Sequence, residues 1–484
     1  MNAEQEQPAR GVVLTSAEAA NEGVEPILER LQRAGANAIA ISPGVFVPVS
    51  PDEGVREPPL DVEGEERTLD RPLWGAKVQH LKGYSPHLPD PALWRDVPFP
   101  MPEAAPAAIR RDYAGRVVAA ASARGMSTHV VTSPTLLPGL PGGQSFSAGD
   151  GSAATDHRVV RVNGSVAERA IAGQGCVNDP RIRALARARL SEVLRHYPEA
   201  DGLFVDWAEY TCYLPQDIFT CFCTHCQQEA VCQGLPWSDV KRACLMVLEG
   251  LGDVDDRTLA ALIDARPGSI AGALQMLARV DDETRGLLET LERFKAYSVA
   301  EFYRWICRVI ADGGATLQVG GNAFAPPWNQ VTGSVPAAMS GTLDALRTKL
   351  FTFHWPMMTR WLGEMLLDRN PGLTPSLVLA AAKVAYDVPT GADEHRTTLH
   401  DYKMPRPDEP HPITMPALRD KLDQVHAAAT GTLRVEAYLH SYRPVDEFAR
   451  LLEVPDDSGV WVQRYGYLSD EKLEVLASAW THRG

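Results

Sequence analysis

The chain has 484 residues and a formal net charge of −15, with 45% hydrophobic and 23% charged residues. These values are ordinary for a globular protein, and the length suits one large α/β barrel or a few average domains. The acidic balance argues against nucleic acids and anionic membranes as partners, and no apolar run approaches the roughly 18 residues of a membrane helix. The start, MNAEQEQPARG, lacks the basic region and apolar core of a signal peptide. We therefore expect a cytoplasmic protein.

Short β-rich runs alternate with amphipathic helical runs along the chain. Buried strands joined by crossover helices pair in parallel, and eight of them favour a closed barrel over an open sheet. The predicted strands are 11–15, 36–42, 126–133, 201–207, 315–321, 348–355, 434–442 and 459–468. We predict a single (β/α)₈ TIM barrel domain over 1–484.

Long segments rich in Pro and Gly follow several of these strands, at about 43–106, 134–175 and 387–416. Loops after strands line the carboxyl end of a barrel, where active sites are built. They indicate an enclosed pocket, with solvated loops of no function as the alternative. Residues 233–290 read as charged helices, and we predict a small helical insertion there, after strand four.

Three carboxylates mark the predicted strands. Asp206 closes the buried run DGLFVDW on strand four, and Glu209 follows three residues later; capping or ion pairing is the alternative role. Glu436 lies in RVEAYLHSY on strand seven, where side chains alternate, so it shares a face with Tyr438 and His440. If that face points into the barrel mouth, acids from opposite strands flank the pocket. The usual mechanism of glycoside hydrolysis uses two such acids, one to protonate the leaving oxygen and one to attack or to activate water.

A cluster of thiols follows the acids of strand four. Cys221, Cys223 and Cys226 form CxCxxC, a spacing that fits one tetrahedral zinc. The candidates for a fourth ligand are Cys176, Cys212, Cys232 and His225. We choose Cys176, because its loop after strand three neighbours the loop after strand four. Four cysteines leave no open position, so we predict a structural zinc rather than a catalytic one, with free thiols as the alternative.

The pattern of CVNDP, a helix, DGLFVDWAEY and CFCTHC over 176–226 resembles the family-42 β-galactosidases and a broader set of uncharacterised glycosidase-like barrel proteins. The resemblance implies a (β/α)₈ barrel, a zinc site at the four cysteines, an acid/base glutamate matching Glu209 and a nucleophile matching Glu436. Where the family has an asparagine that binds the sugar 2-hydroxyl, this chain has Ala208. β-Galactosidase activity itself is therefore not implied, and Asp206 becomes a rival for the main acid role.

A carbohydrate pocket combines aromatic rings with hydrogen-bonding groups. Residues of both kinds collect at predicted strand ends, and we expect substrate contacts from Trp207, Tyr210, Asn322, His354, Trp355, Tyr438, His440 and Arg464. The leading prediction is a glycoside hydrolase that acts on a carbohydrate or glycoside. The alternatives are a metal-dependent hydrolase or isomerase built on Asp206, His354 and His440, and a non-catalytic carbohydrate-binding barrel. A homo-oligomer is compatible with the sequence.

Overall fold

The computed structural model describes residues 7–59, 67–138, 157–166, 173–388 and 396–481. Within these ranges eight parallel strands close into a barrel, and each lies beside its neighbours in sequence. The barrel strands are β1 (Arg10–Thr15), β2 (Ala38–Ser42), β6 (Ser127–Thr132), β7 (Gly202–Val205), β8 (Gln318–Phe324), β9 (Ala345–Leu350), β10 (Arg434–His440) and β11 (Gly459–Gln463). The predicted (β/α)₈ TIM barrel is confirmed, with β7 as its fourth strand and β10 as its seventh.

The strands are buried on both faces because helices cover the outside of the barrel. Alternate residues of β1 and β2, such as Val12 and Ile39, pack outward into one continuous apolar layer against the helices. The inward-facing residues Phe204, Tyr438 and Trp461 fill the barrel interior, with ring centroids 5.1 Å apart where Phe204 meets each of the other two. The interior is therefore a packed core, as in other barrels of this size.

The segment 43–106 contains a small antiparallel sheet that was predicted only as a loop. Its strands, in the order β3-β5-β4, are β3 (Val45–Pro48), β4 (Val55–Glu57) and β5 (Gln79–Tyr84). β3 pairs with β5 from Val45 opposite Tyr84. The sheet extends the carboxyl end of β2, on the side of the barrel where active sites form.

The helices lie between and after the strands. Those before β8 are α1 (Ser16–Glu22), α2 (Val24–Arg33), α3 (Pro91–Trp94), α4 (Tyr113–Ser122), α5 (Pro180–His196), α6 (Thr224–Cys232), α7 (Trp237–Gly250), α8 (Asp256–Ala265), α9 (Ile270–Ala278) and α10 (Asp282–Asp312). Those after β8 are α11 (Trp328–Thr332), α12 (Pro336–Met339), α13 (His354–Arg369), α14 (Pro375–Ala385), α15 (Met415–Ala428), α16 (Val445–Leu452) and α17 (Asp470–Thr481). No described helix is long and apolar enough to cross a membrane.

One strand boundary differs in a way that affects the site. The run TKLFTFHW was predicted as a strand over 348–355, but β9 ends at Leu350 and α13 begins at His354. The aromatic residues of this run therefore belong to the turn and the first helical turn above the strand. Consequently helical geometry, and not strand alternation, sets the directions of the His354 and Trp355 side chains.

Candidate active site and thiol cluster

Asp206 lies directly after β7 at the carboxyl end of the barrel. Its Oδ1 accepts a hydrogen bond from the backbone N–H of Trp207 at 3.0 Å and lies 2.9 Å from Nζ of Lys349. Its Oδ2 has no hydrogen-bond partner among the described residues. The side chain is 22% exposed. Asp206 thus has one oxygen fixed by the protein and one oxygen free toward the mouth.

Lys349, on β9, joins Asp206 to Glu209. Its Nζ is also 2.9 Å from Oε1 of Glu209, whose Oε2 accepts hydrogen bonds from Ser334 Oγ at 2.9 Å and from the N–H of Phe324 at 3.4 Å. The Glu209 side chain is 1% exposed and all its oxygens are occupied. Burial lowers the pKa of Lys349, but the two carboxylates outweigh it and raise that pKa above its ordinary value. Lys349 therefore stays positively charged at neutral pH, and its contacts with the two carboxylates hold it in place.

The backbone between the two acids is held in an unusual conformation. Trp207 has φ +58°, in the left-handed region that is costly for a residue with a side chain. Its carbonyl accepts a hydrogen bond from the Thr135 hydroxyl, and Gln174 Nε2 donates to the Glu209 carbonyl at 2.9 Å. The half-buried indole lies 5.0 Å from Nζ of Lys349. Strain of this kind is concentrated at functional sites, where surrounding contacts maintain it.

Two neutral imidazoles stand near this centre. Burial, with the positive charges of Arg67 and Lys349, lowers the pKa of His354 well below its ordinary value. Burial and Arg67 lower the pKa of His440 in the same direction. His440 Nδ1 accepts from the N–H of Tyr442 at 3.0 Å, which leaves its proton on Nε2. Both rings are therefore uncharged hydrogen-bonding groups at neutral pH.

Asn322 faces the barrel interior from β8. Because Val205 pairs in register with Gly321, Asn322 is level with Asp206 on the neighbouring strand. It is 1% exposed, and neither polar atom of its amide has a hydrogen-bond partner in the described part of the chain. A buried amide with both groups unmet is costly unless something else binds it. Asn322 is therefore available to a hydroxyl-bearing ligand.

Glu436 occupies the opposite end of the barrel. It is the third residue of β10 and pairs in register with Arg347, two residues before Lys349 on β9. Its Oε2 lies 3.1 Å from Nε of Arg347 and accepts a hydrogen bond from Trp461 Nε1 at 2.9 Å. Glu436 borders a cavity that includes Asn37, which precedes β2, so this is the amino end.

The expected pairing of Glu209 with Glu436 is not formed. Glu436 does share the inward face with Tyr438 and His440, but two residues along a strand place it about 7 Å below the level of Lys349. The rings of Phe204 and Tyr438 fill the layer above it. The structure thus puts Glu436 into a buried ion pair rather than at the mouth.

Four other residues predicted to bind substrate have partners within the protein. Tyr210 places its hydroxyl 3.6 Å from Cys226 Sγ, in the thiol cluster. Trp355 is 1% exposed and packs on Trp328, with ring centroids 5.3 Å apart. Tyr438 donates to Gln463 Oε1 at 2.6 Å inside the barrel. Arg464 pairs with Glu57 at 2.7 Å and with Glu18 at 3.3 Å on the rim.

The structure brings together the sulfurs of Cys176, Cys221, Cys223 and Cys226, all within 4.8 Å of one another. Cys176 Sγ lies 3.3 Å from Cys226 Sγ and 3.7 Å from Cys223 Sγ. Tetrahedral zinc with bonds of about 2.3 Å sets its sulfurs about 3.8 Å apart. The cluster is buried and could hold a metal ion. Cys232, a rival candidate, is exposed at the end of α6.

Hydrogen bonds around the sulfurs support that reading. Backbone N–H groups of Val160, Asn178 and Cys226 donate to Cys221, Cys176 and Cys223 at 3.3, 3.4 and 3.5 Å, respectively. Hydrogen bonding among the sulfurs raises the pKa of Cys176 and lowers that of Cys223, so close packing of the sulfurs opposes ionisation of Cys176 unless a cation is bound. A donor set of thiolates with N–H groups around it suits a soft divalent metal.

The cluster also supports the active-site segment. Cys176 precedes α5, while Cys221 to Cys226 follow β7. Tyr210, next to Glu209, contacts Cys226, and Asn178 Nδ2 donates to the same sulfur at 3.4 Å. A metal here would pin the loop that carries Asp206 and Glu209.

No protein-family model and no curated protein sequence matches the chain. Solved structures of similar architecture include the β-galactosidase of the Antarctic haloarchaeon Halorubrum lacusprofundi, at 12% identity and a TM-score of 0.41, over 98% of this chain and 57% of that one. The cold-adapted β-galactosidase of Rahnella sp. R3 is 11% identical with a TM-score of 0.43, over 99% of this chain and 56% of that one. The catalytic domain of a Paenibacillus polymyxa β-amylase is 9% identical with a TM-score of 0.40, over 97% of this chain and 96% of that one. The likeness is one of fold. The chain spans little more than half the length of the two β-galactosidases.

Sequence reasoning missed Lys349 and Arg347, the cations that organise both ends of the barrel. Their spacing carried a signal, because two charges at alternate positions of a buried strand must share one face and need partners. The predicted strand began at Thr348, one residue after Arg347, and the alternation was lost. Ser334, which holds Glu209, follows α11 in a turn. Nothing in its local sequence marks it.

Proposed function

We propose that the protein is a glycoside hydrolase in which Asp206 is the reacting carboxylate. One observation carries the proposal: Asp206 is at the barrel mouth with Oδ1 fixed by Lys349 and Trp207 and with Oδ2 free. A fixed, accessible carboxylate can stabilise or attack the oxocarbenium-like anomeric carbon that forms when a glycosidic bond breaks. The substrate class is a carbohydrate or glycoside.

Lys349 and Glu209 act as positioning residues in this scheme. Glu209 is buried and fully hydrogen-bonded, so it reaches the substrate only through the lysine that it holds. Lys349 holds the Asp206 carboxylate in one direction. A mobile carboxylate would have to adopt that direction again in each turnover, which raises the barrier. The unmet amide of Asn322 and the neutral His440 are placed to bind sugar hydroxyls.

Metal-dependent chemistry at the mouth fits less well. The ammonium group of Lys349 occupies the position between Asp206 and Glu209 where a cation would bind. Among the described residues, the four cysteines of the thiol cluster are the metal-binding side chains that lie close enough to one another to bind one ion. His354 and His440 belong to no such group.

The test uses 2,4-dinitrophenyl glycosides of several sugars, in both anomers, because this leaving group departs without a proton and isolates the carboxylate's role. Asp206→Asn should lower kcat/KM on the order of 10³-fold, and azide added to Asp206→Gly should restore turnover as a glycosyl azide. Asp253→Asn, at a 94% exposed side chain, is the matched control. Wild-type rates in Asp206→Asn would refute the proposal. Sugar binding with no cleavage by the wild type would favour the carbohydrate-binding alternative.

We also propose that the thiol cluster holds one structural zinc. Four cysteines leave no open coordination position, so the ion would brace the loop after β7 and take no part in the chemistry. A zinc–thiolate site is compatible with the reducing cytoplasm, where we place the protein. Metal analysis should give one zinc per chain. Glycosidase activity with zinc exchanged for cadmium should stay unchanged.

A further inference from the structure

A cavity of about 210 Å³ adjoins the proposed active site. It opens at the carboxyl ends of β2 and β6, where Ser42 and Ser133 contribute to its wall. The β6 wall is continuous with the active-site segment, because the N–H of Asp206 donates to the carbonyl of Thr132 at 2.9 Å. A ligand in this cavity would therefore lie beside the segment that carries the reacting carboxylate.

The cavity wall is largely apolar. Six of its lining residues are prolines: Pro43, Pro86, Pro89, Pro100, Pro102 and Pro138. Trp94 and Val193 add apolar surface. His87 and His196 also line the cavity and stack face to face, with ring centroids 3.7 Å apart and planes within 5° of parallel, so the pair offers an outer ring face. Flat rings and prolines present faces that suit a planar guest.

Several polar groups of this wall lie beside partners, although His196 Nε2 makes no hydrogen bond within the described part of the chain. His87 lies 3.3 Å from Asp112, and His196 lies 3.2 Å from Glu192. Glu192 Oε1 also accepts from the Trp94 indole N–H at 3.2 Å. A sugar ring would bring several hydroxyls that find few open partners here, which is costly on burial. An aryl group with one or two polar substituents brings far fewer.

The volume sets the size of the guest. An apolar cavity of about 150 Å³ is enough to bind benzene, so about 210 Å³ accepts one six-membered aromatic ring with a small substituent. We propose that this cavity is a binding site for an aryl group. Its role as the subsite for the aglycone of an aryl glycoside rests on the proposed function; its affinity for an aromatic ring does not.

The experiment titrates 4-nitrophenol into the full-length Asp206→Asn protein by calorimetry, with cyclohexanol as a non-planar probe of similar size. Binding of 4-nitrophenol should be saturable with one site per chain. Val193→Phe, which fills the cavity, should weaken it at least tenfold. Val231→Phe, at a 62% exposed site, should leave it unchanged. Equal affinity for cyclohexanol, or full affinity in Val193→Phe, would overturn the proposal.

A second measurement does not depend on the folding of Val193→Phe. The ring-proton NMR signals of His87 and His196 should shift as 4-nitrophenol is added to the otherwise unmodified protein, and static signals at saturation would refute the site. The two proposals fail separately. If 4-nitrophenol does not bind but Asp206→Asn loses hydrolysis, only the aryl site is refuted. If 4-nitrophenol binds but Asp206→Asn still hydrolyses the glycoside, only the proposed function is refuted.

Discussion

Arg347 and Glu436 face each other across β9 and β10, with 3.1 Å between Nε and Oε2. The guanidinium also stacks 4.0 Å from the ring centroid of Phe204 and 4.8 Å from that of Trp461. Glycines make room for this layer, since a Cβ on Gly320 would fall 1.9 Å from Arg347 Nη1. The pair is a polar core inside the amino end of the barrel. Its consequences concern stability rather than catalysis.

Glu436→Gln should therefore destabilise the protein and spare its chemistry. Removing one partner of a buried ion pair leaves a charge uncompensated, which costs about 3–5 kcal/mol. Urea unfolding should show a loss of about 3 kcal/mol, and kcat per folded molecule should stay near the wild-type value. Combining it with Arg347→Met should recover part of the stability. Unchanged stability with activity abolished would instead return Glu436 to the catalytic machinery.

Lys349→Met should cost both stability and activity. It leaves the carboxylates of Asp206 and Glu209 close together with no cation, a loss of about 3 kcal/mol or more for a buried group. Activity should fall because Asp206 is no longer oriented. Lys349→Met combined with Glu209→Gln removes the unpaired buried charge, so it should regain stability but not activity. Recovery of both stability and activity in the double variant would show that Lys349 only offsets the charge of Glu209. The measurements are urea midpoints and kcat on dinitrophenyl glycosides.

The barrel could be predicted from sequence because its strands are buried on both faces and therefore leave apolar runs. The CxCxxC spacing was equally local, whereas Cys176 was assigned to the cluster from the barrel order, because the loop after strand three neighbours the loop after strand four. Glu436 shows what a local pattern leaves out. Alternation gave its face correctly, and the predicted start of the strand at Arg434 was right. The third residue of a barrel strand lies near the amino end, however, so an inward face alone does not put Glu436 at the mouth. The contact between Lys349 and Asp206 depends on barrel closure, which no local run encodes.

Cys223→Ser should lower both zinc content and stability. Structural zinc sites contribute binding free energies of about 10 kcal/mol or more to folding in small domains, so a loss of several kcal/mol is expected in this larger core. Cys232→Ser, exposed and outside the cluster, is the matched control and should behave as wild type. Metal analysis and thermal unfolding give the two readouts. A Cys223→Ser protein of full stability and no bound metal would rule out a structural role.

Stability should decline steeply as the pH falls below about 6.5. Burial is the largest cause that lowers the pKa of four histidines well below the ordinary value: His129, His354, His411 and His440. Between the unfolded value and the lower folded one, the unfolded chain binds more protons, so acid favours unfolding. Each histidine contributes a slope of up to about 1.4 kcal/mol per pH unit.

Urea unfolding at pH 7, 6 and 5 measures this slope, with zinc content followed at each pH because thiolates also bind protons. His411→Gln should reduce the slope by about one histidine's share. A free energy of unfolding that stays level from pH 7 to pH 5, with zinc retained, would contradict the histidine assignment.

Trp207 should show the cost of its backbone conformation when two truncations are compared. Trp207→Ala and Trp207→Gly both remove the indole, so their difference reports the backbone alone. At φ +58° alanine keeps the Cβ penalty and glycine does not, so the glycine variant should be more stable by about 1 kcal/mol. At Tyr297, in α10, the same pair should give the opposite order, with alanine more stable by about 1 kcal/mol. Both Trp207 variants should lose activity, since the ring beside Lys349 is gone. Alanine as the more stable residue at both positions would mean that Trp207 is unstrained in solution.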